Sequence, residues 1–215
     1  MTPFQSVVLD VDSTVSALEG IDWLAERRGG SVAATVIALT ADAMEARVPI
    51  DEVYARRLRI IRPTRDEIAA LADAYIATAL PGVQDAVRTW RNAGVRVVLV
   101  SGGLRNAILP LADWLGIVRD DVHAVEIEFD DSGTATEVRV DSPLSQSGGK
   151  PRVVSALGLA RPLLAIGDGA TDAELVPVVD RFLAFTGVAR RASVVARASG
   201  EVDSFAALTA IVLGS

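Results

Sequence analysis

The chain has 215 residues, half of them hydrophobic, with a formal net charge of -7 and a pI near 4.8. That content supports a large core in one elaborated domain or two small ones, and the acidic balance excludes backbone-driven nucleic-acid binding, which needs a basic face to displace counterions. Cysteine is absent, which excludes disulfides and thiolate-metal sites; no run approaches the ~20 apolar residues of a membrane span, and Met1 to Ser6 lack the basic-then-apolar pattern of a leader. The expectation is a cytoplasmic protein with neither nucleic acid nor membrane as partner.

In chain order, the apolar run Ser6 to Leu9 reads as a buried parallel strand, and Asp10-Val11-Asp12-Ser13-Thr14 follows it directly. Side chains two apart on a strand share a face, so Asp10 and Asp12 emerge together at the carboxyl end, where ligands bind in open α/β sheets. From Thr14 to Leu80 the strand signal vanishes. Ala-rich segments with helical spacing replace it, including Val53, Leu58 and Ile61 behind a candidate cap at Asp51, and a second helix from Thr64, where Glu67 completes a capping box. A helical cap inserted after the first strand is expected over residues 15–75, with the α/β core formed by 1–14 and 76–215. Such caps exclude water from chemistry.

The core resumes at Leu80-Pro81-Gly82 with a helix through Trp90 that Gly94 terminates at C′. The strand Val95 to Val100 then runs into the turn Ser101-Gly102-Gly103 and a helix through Leu115, an arrangement of hydroxyl and free N–H groups that suits an anion. Val122 to Glu128 and Glu137 to Val140 read as a β-hairpin, with the lone histidine, His123, in a structural role. Gly148-Gly149 lead to Lys150 and then Pro151 at a helix start. Lys150 is the only lysine of a chain whose Lys and Arg total 21; a compact ammonium fits between a carboxylate and a phosphate where a planar guanidinium does not. The strand Leu163 to Ile166 ends in Gly167-Asp168-Gly169-Ala170-Thr171-Asp172, placing Asp168 and Asp172 on one face of a helical turn. Phe182 to Phe185 is the last strand. Strands alternating with helices give an α/β fold with a doubly wound, mainly parallel sheet.

Electrostatics links the motifs. Four carboxylates about 6 Å apart repel by roughly 3 kcal/mol per pair at an effective dielectric of 20, so the cluster must protonate or hold a cation. A hard divalent ion with oxygen ligands, Mg²⁺ above all, is the expected occupant beside a phosphate. The cluster reads as a phosphoryl-transfer site, and two other readings stand beside an enzyme that turns over. One is a receiver-type domain that accepts a phosphoryl group on an aspartate; the other is a purely structural domain, which leaves the solitary lysine unexplained.

These motifs, in order, resemble those of the haloacid dehalogenase superfamily. Within it, Glu19-Gly20-Ile21-Asp22, Ala43-Met44, Val48-Pro49, Arg57-Leu58 and Ser147-Gly148-Gly149-Lys150 are similar to the phosphoserine phosphatase branch over nearly the whole length. The resemblance implies Mg²⁺-dependent hydrolysis of L-phosphoserine, or of another small phosphomonoester, or transfer of the phosphoryl group to an alcohol. It implies Asp10 as nucleophile and Asp12 as acid and then base. Mg²⁺ is held by Asp10, the Asp12 carbonyl and Asp168, with Asp172 orienting that shell. Ser101, Gly102, Lys150 and Thr171 meet the substrate phosphate end, while Glu19 takes the ammonium, Arg57 the carboxylate, and Met44 lines the lid. Ala46 and Ile50 depart from the usual glycine and aromatic of that branch. A homodimer is compatible with the sequence, though no feature requires it.

Overall fold

The computed structural model describes residues 3–45, 47–133 and 142–214, and the backbone of 135–138. Six strands form one sheet: β1 (Ser6–Leu9), β2 (Arg96–Leu104), β3 (Val122–Val125), β6 (Leu163–Gly167), β7 (Arg181–Phe185) and β8 (Glu201–Val202). Their order is β3-β2-β1-β6-β7-β8, with every pairing parallel. β1 is buried along its whole length because it lies between β2 and β6, which is why its sequence is a continuous apolar run. Chain order reverses between β1 and β6. That reversal opens a crevice beyond their carboxyl ends, the usual ligand position of a doubly wound sheet.

Four helices, α1 (Gly20–Glu26), α2 (Gly30–Met44), α3 (Ile50–Ile61) and α4 (Arg65–Ala77), follow β1 before α5 (Val83–Asn92) leads into β2. Thr64 caps α4 as expected, its hydroxyl accepting the Glu67 N–H at 3.3 Å while the Glu67 carboxylate accepts the Thr64 N–H at 2.8 Å. Asp51 is not the cap of α3. Pro49 holds that position, and the Asp51 carboxylate instead accepts the Ser147 N–H from the segment leading to Lys150. Gly94 has φ +84 just past the Ala93 cap of α5, the left-handed C′ position expected of it. α4 packs against α6 (Arg105–Leu115), and α5 against α10 (Phe205–Leu213), where Trp90 and Phe205 meet with ring centroids 6.2 Å apart.

Three further expectations need correction. β2 does not stop at Val100: Ser101 to Leu104 continue it with an irregular register against β3, and α6 starts only at Arg105. Gly103 serves close approach, since a Cβ there would lie 2.9 Å from Asp12 Oδ2. The expected hairpin is split. Val122 to Val125 joins the main sheet as its edge strand, leaving β4 (Ile127–Phe129) to pair antiparallel with β5 (Ala135–Val138). Finally, α7 (Gly149–Ala156) begins before Pro151, with Gly148 as its N-cap at φ +69. Val140 and Ala46 lie outside the described residues. Among the described residues no helix is long and apolar enough to cross a membrane.

Candidate active site

The site is built where β1 and β6 end. The Asp10 N–H donates to the Ile166 carbonyl at 3.0 Å, which extends the β1–β6 ladder one residue and fixes the backbone from which the Asp10 carboxylate leaves. Asp168 leaves the end of β6, and Asp172 sits in the short helix α8 (Ala170–Ala173) that follows. Asp10, Asp168 and Asp172 are all buried, and each offers one carboxylate oxygen within 4.8 Å of the other two. A side chain at residue 167 is excluded, because a Cβ there would stand 2.2 Å from the Asp172 Cγ.

Lys150, 4% exposed, holds this cluster together. Its Nζ donates to Asp10 Oδ1 and to Asp172 Oδ1, each at 2.6 Å. Burial disfavours the ammonium, but the charges of Asp10 and Asp172 outweigh it and raise the Lys150 pKa, so the cation persists. Burial, followed by the Asp10 charge, raises the Asp172 carboxyl to about 7 against the opposing pull of Lys150. On the other side, Thr14 donates to Asp168 Oδ1 at 3.2 Å, while Asp168 Oδ2 has no hydrogen bond and is ion-paired with the Arg191 guanidinium.

Asp12 lines the same pocket as this trio but is held by different partners. The turn that carries it is tight, with Ser13 at φ +53. Its Oδ1 accepts the Gly20 N–H at 2.6 Å and the Tyr75 hydroxyl at 2.7 Å, and its Oδ2 accepts the Ser101 hydroxyl at 3.4 Å. Burial first and Asp10 second raise the Asp12 carboxyl to about 6. A carboxyl poised there can give and take a proton near neutral pH.

A pocket joins these groups to the helices that follow β1. Asp10, Asp12, Glu19, Met44, Arg57, Gly102, Lys150, Asp168, Thr171 and Asp172 all line it. Ser101 is buried beside it, its Oγ accepting the Gly103 N–H at 2.9 Å. Glu19 accepts from Ser13 at 2.8 Å and lies 3.5 Å from Arg191; burial and the Asp12 charge raise its carboxyl to about 8. Arg57 is 3% exposed. Its Nη1 donates to Thr40 Oγ1 at 2.8 Å, Thr40 in turn donates to Asp22, and its buried Nε has no hydrogen-bond partner among the described residues. Burial lowers the Arg57 pKa. Ile50 also lines the cavity.

Four residues reach the site with no motif to announce them. Tyr54 donates to the Gly102 carbonyl at 2.6 Å, Tyr75 binds Asp12, Arg191 bridges Asp168 to Glu19, and Thr40 connects Arg57 to Asp22. Only their rarity could have flagged the tyrosines, since the chain has two. His123 lies on β3 and does not line the pocket; its buried Nε2 has no hydrogen-bond partner among the described residues, and burial lowers its pKa.

Comparison with known proteins fits this geometry. Residues 7–177 match the family of haloacid dehalogenase-like hydrolases. The chain is 36% identical over 209 residues to the chloroplastic phosphoserine phosphatase of Arabidopsis thaliana, spanning 95% of this chain and 70% of that protein. It is 34% identical over 206 residues to phosphoserine phosphatase of Rattus norvegicus, spanning 94% and 91%. A phosphoserine phosphohydrolase-like protein from Francisella tularensis superposes with a TM-score of 0.89 over 97% of this chain and 99% of that one, a likeness of fold at 24% identity. A receiver-type domain does not account for a hydrolase match of this extent. The chain belongs to the haloacid dehalogenase-like hydrolase family, on the branch that holds these phosphoserine phosphatases.

Proposed function

We propose that the chain is a Mg²⁺-dependent phosphomonoesterase that hydrolyses L-phosphoserine to L-serine and phosphate through a phosphorylated Asp10. The observation that carries this reading is the buried Lys150 ammonium held 2.6 Å from both Asp10 and Asp172, with Asp168 in the same cluster. An ammonium has three donors. Two are engaged by carboxylates, and the third is assigned to a phosphoryl oxygen, alongside Ser101, the Gly102 N–H and Thr171.

The donor set fits a hard divalent cation: it is all oxygen, with buried carboxylate oxygens of Asp10, Asp168 and Asp172 within 4.8 Å of one another, and Asp168 Oδ2 already draws a cation in its ion pair with Arg191. Asp10, Asp168 and the Asp12 carbonyl would hold the ion, with Asp172 orienting that shell. When bound, Mg²⁺ neutralises charge on the phosphoryl oxygens. Asp10 attacks phosphorus, and Asp12 gives its proton to the departing oxygen, then takes one from the water that releases phosphate. These two roles need a carboxyl that titrates near neutrality, in keeping with the rise of Asp12 to about 6.

Residues 15–75 act as a cap that selects the substrate. Glu19 receives the ammonium and Arg57 the carboxylate, whose oxygens would meet the unpartnered Arg57 Nε. Burial of a zwitterion requires one fixed charge of each sign, and substrate binding draws Glu19 to its ionised form. Met44 supplies apolar lid surface. Phosphate release from a panel of phosphorylated amino acids and sugars, with and without Mg²⁺, tests the proposal. Phosphoserine should be the preferred substrate, with turnover lost on chelation; turnover confined to compounds lacking an amino acid moiety would refute the substrate assignment.

A further inference from the structure

Both tyrosines of the chain are buried, and each descends from a helix of the inserted segment onto the site. Tyr54 of α3 reaches the Gly102 carbonyl, whereas Tyr75 of α4 reaches Asp12 Oδ1 at 2.7 Å, the oxygen that also accepts the Gly20 N–H at 2.6 Å. A carboxyl oxygen that already accepts two hydrogen bonds is a poor place for the acid's own proton, because an O–H group there would face two donors. The proton is therefore directed to Oδ2. That oxygen accepts only one long contact, from the Ser101 hydroxyl at 3.4 Å, against the two short ones at Oδ1, and it faces the residue assigned to the phosphate cradle.

Residue 20 gives independent support. A Cβ on Gly20 would lie 2.1 Å from the Tyr75 hydroxyl oxygen and 3.3 Å from Asp12 Oδ1. Gly20 has an ordinary helical place at the start of α1, with no positive φ to require glycine. What requires it is the space taken by the tyrosine hydroxyl. An amide, a hydroxyl and an absent side chain, from two separate helices, thus converge on a single oxygen atom.

We infer that Tyr75 is a positioning residue: it pins Asp12 Oδ1 so that Oδ2 alone delivers the proton to the leaving group. The inference rests on Asp12 being the general acid. In that step a bond forms between an Asp10 carboxylate oxygen and phosphorus, and the bond from phosphorus to the leaving oxygen breaks. The electron pair stays on the leaving oxygen, which takes the proton from Asp12 Oδ2 and leaves Asp12 as carboxylate. A serine alkoxide needs this proton. The stabilised anions released from p-nitrophenyl phosphate or acetyl phosphate do not.

The test compares kcat/KM, which covers the steps through loss of the leaving group, for phosphoserine and for those two activated esters. Tyr75→Phe should lower the phosphoserine value by about tenfold or more and the activated-ester values by less than about threefold. Gly20→Ala, which displaces the hydroxyl while leaving Tyr75 in place, should give the same split. Tyr54→Phe should lower all three alike, because its hydroxyl serves Gly102. Equal losses on all esters for Tyr75→Phe and Gly20→Ala, or the same split in Tyr54→Phe, would overturn the inference. Asp12→Asn separates the two levels of the argument: if it shows no leaving-group split, the acid assignment itself fails, and if it shows one that Tyr75→Phe lacks, only the role of Tyr75 fails.

Discussion

Replacing Lys150 with Met removes the cation from a cluster of three buried carboxylates while keeping an unbranched chain of similar length. The ammonium is 4% exposed and makes two 2.6 Å contacts, to Asp10 and Asp172. Deleting one partner of such a pair costs about 3–5 kcal/mol, because a charge is left buried and uncompensated. Two carboxylates share this ammonium, so the upper end applies when both are ionised. Against a total stability of about 5–15 kcal/mol the loss is large, and at ~2–4 °C per kcal/mol it lowers Tm by on the order of 10 °C. The pH dependence fixes the cause. Loss of Lys150 lifts the Asp172 carboxyl further above its present value of about 7, and the free energy of holding that proton in the folded state grows as pH rises above the unfolded carboxylate value, so the penalty is small at pH 5 and large at pH 8. Urea unfolding of the metal-free protein should show a penalty at pH 8 that shrinks at pH 5 and is partly recovered with Mg²⁺. Lys150→Arg should recover part of the stability and none of the phosphate release, because a planar fork does not replace a point charge. A Lys150→Met protein within about 1 kcal/mol of wild type at pH 8 would refute the reasoning.

Two further outcomes are expected. Arg57→Ala should raise KM for phosphoserine by about 10- to 100-fold, the value of one or two charge-assisted hydrogen bonds, and leave KM for p-nitrophenyl phosphate nearly unchanged; equal effects on both would remove Arg57 from carboxylate recognition. The metal-free wild type should lose stability as pH rises from about 4 to about 8. Asp12, Asp172 and Glu19 have folded pKa values raised to about 6, 7 and 8, so over that window the folded state holds more protons than the unfolded one. A divalent ion offsets the same charges, and calorimetry should therefore find a larger Mg²⁺-induced rise in Tm at pH 8 than at pH 5; the opposite order would contradict the assignment of the cluster.

The central strands were legible because strands buried on both faces are written as unbroken apolar runs: Ser6 to Leu9 is β1 residue for residue, and Leu163 to Ile166 lacks only Gly167. The acidic motifs were legible because chemistry in this topology sits where such runs end. Other features depend on the third dimension. Ser101-Gly102-Gly103 has turn composition, yet stays in the strand; Gly103 is there because Asp12 leaves no room for a side chain, a contact that no local pattern records. Val122 to Phe129 is one stretch of strand-forming residues, and nothing local says that its first part joins the main sheet while the rest pairs with β5. Arg191 is one of many arginines, and Tyr75 sits in an ordinary helix. Their partners, Asp168 and Asp12, are distant in sequence, so only the fold makes them part of the site.

The most direct test of the account is covalent: the protein is mixed with phosphoserine and Mg²⁺, quenched in acid within a turnover, digested, and mapped by mass spectrometry. The account predicts a phosphoryl group on the peptide that carries Asp10, absent without Mg²⁺ and absent from the inactive Asp10→Asn variant. Turnover that persists in Asp10→Asn, or a phosphoryl group found on another residue, would contradict it.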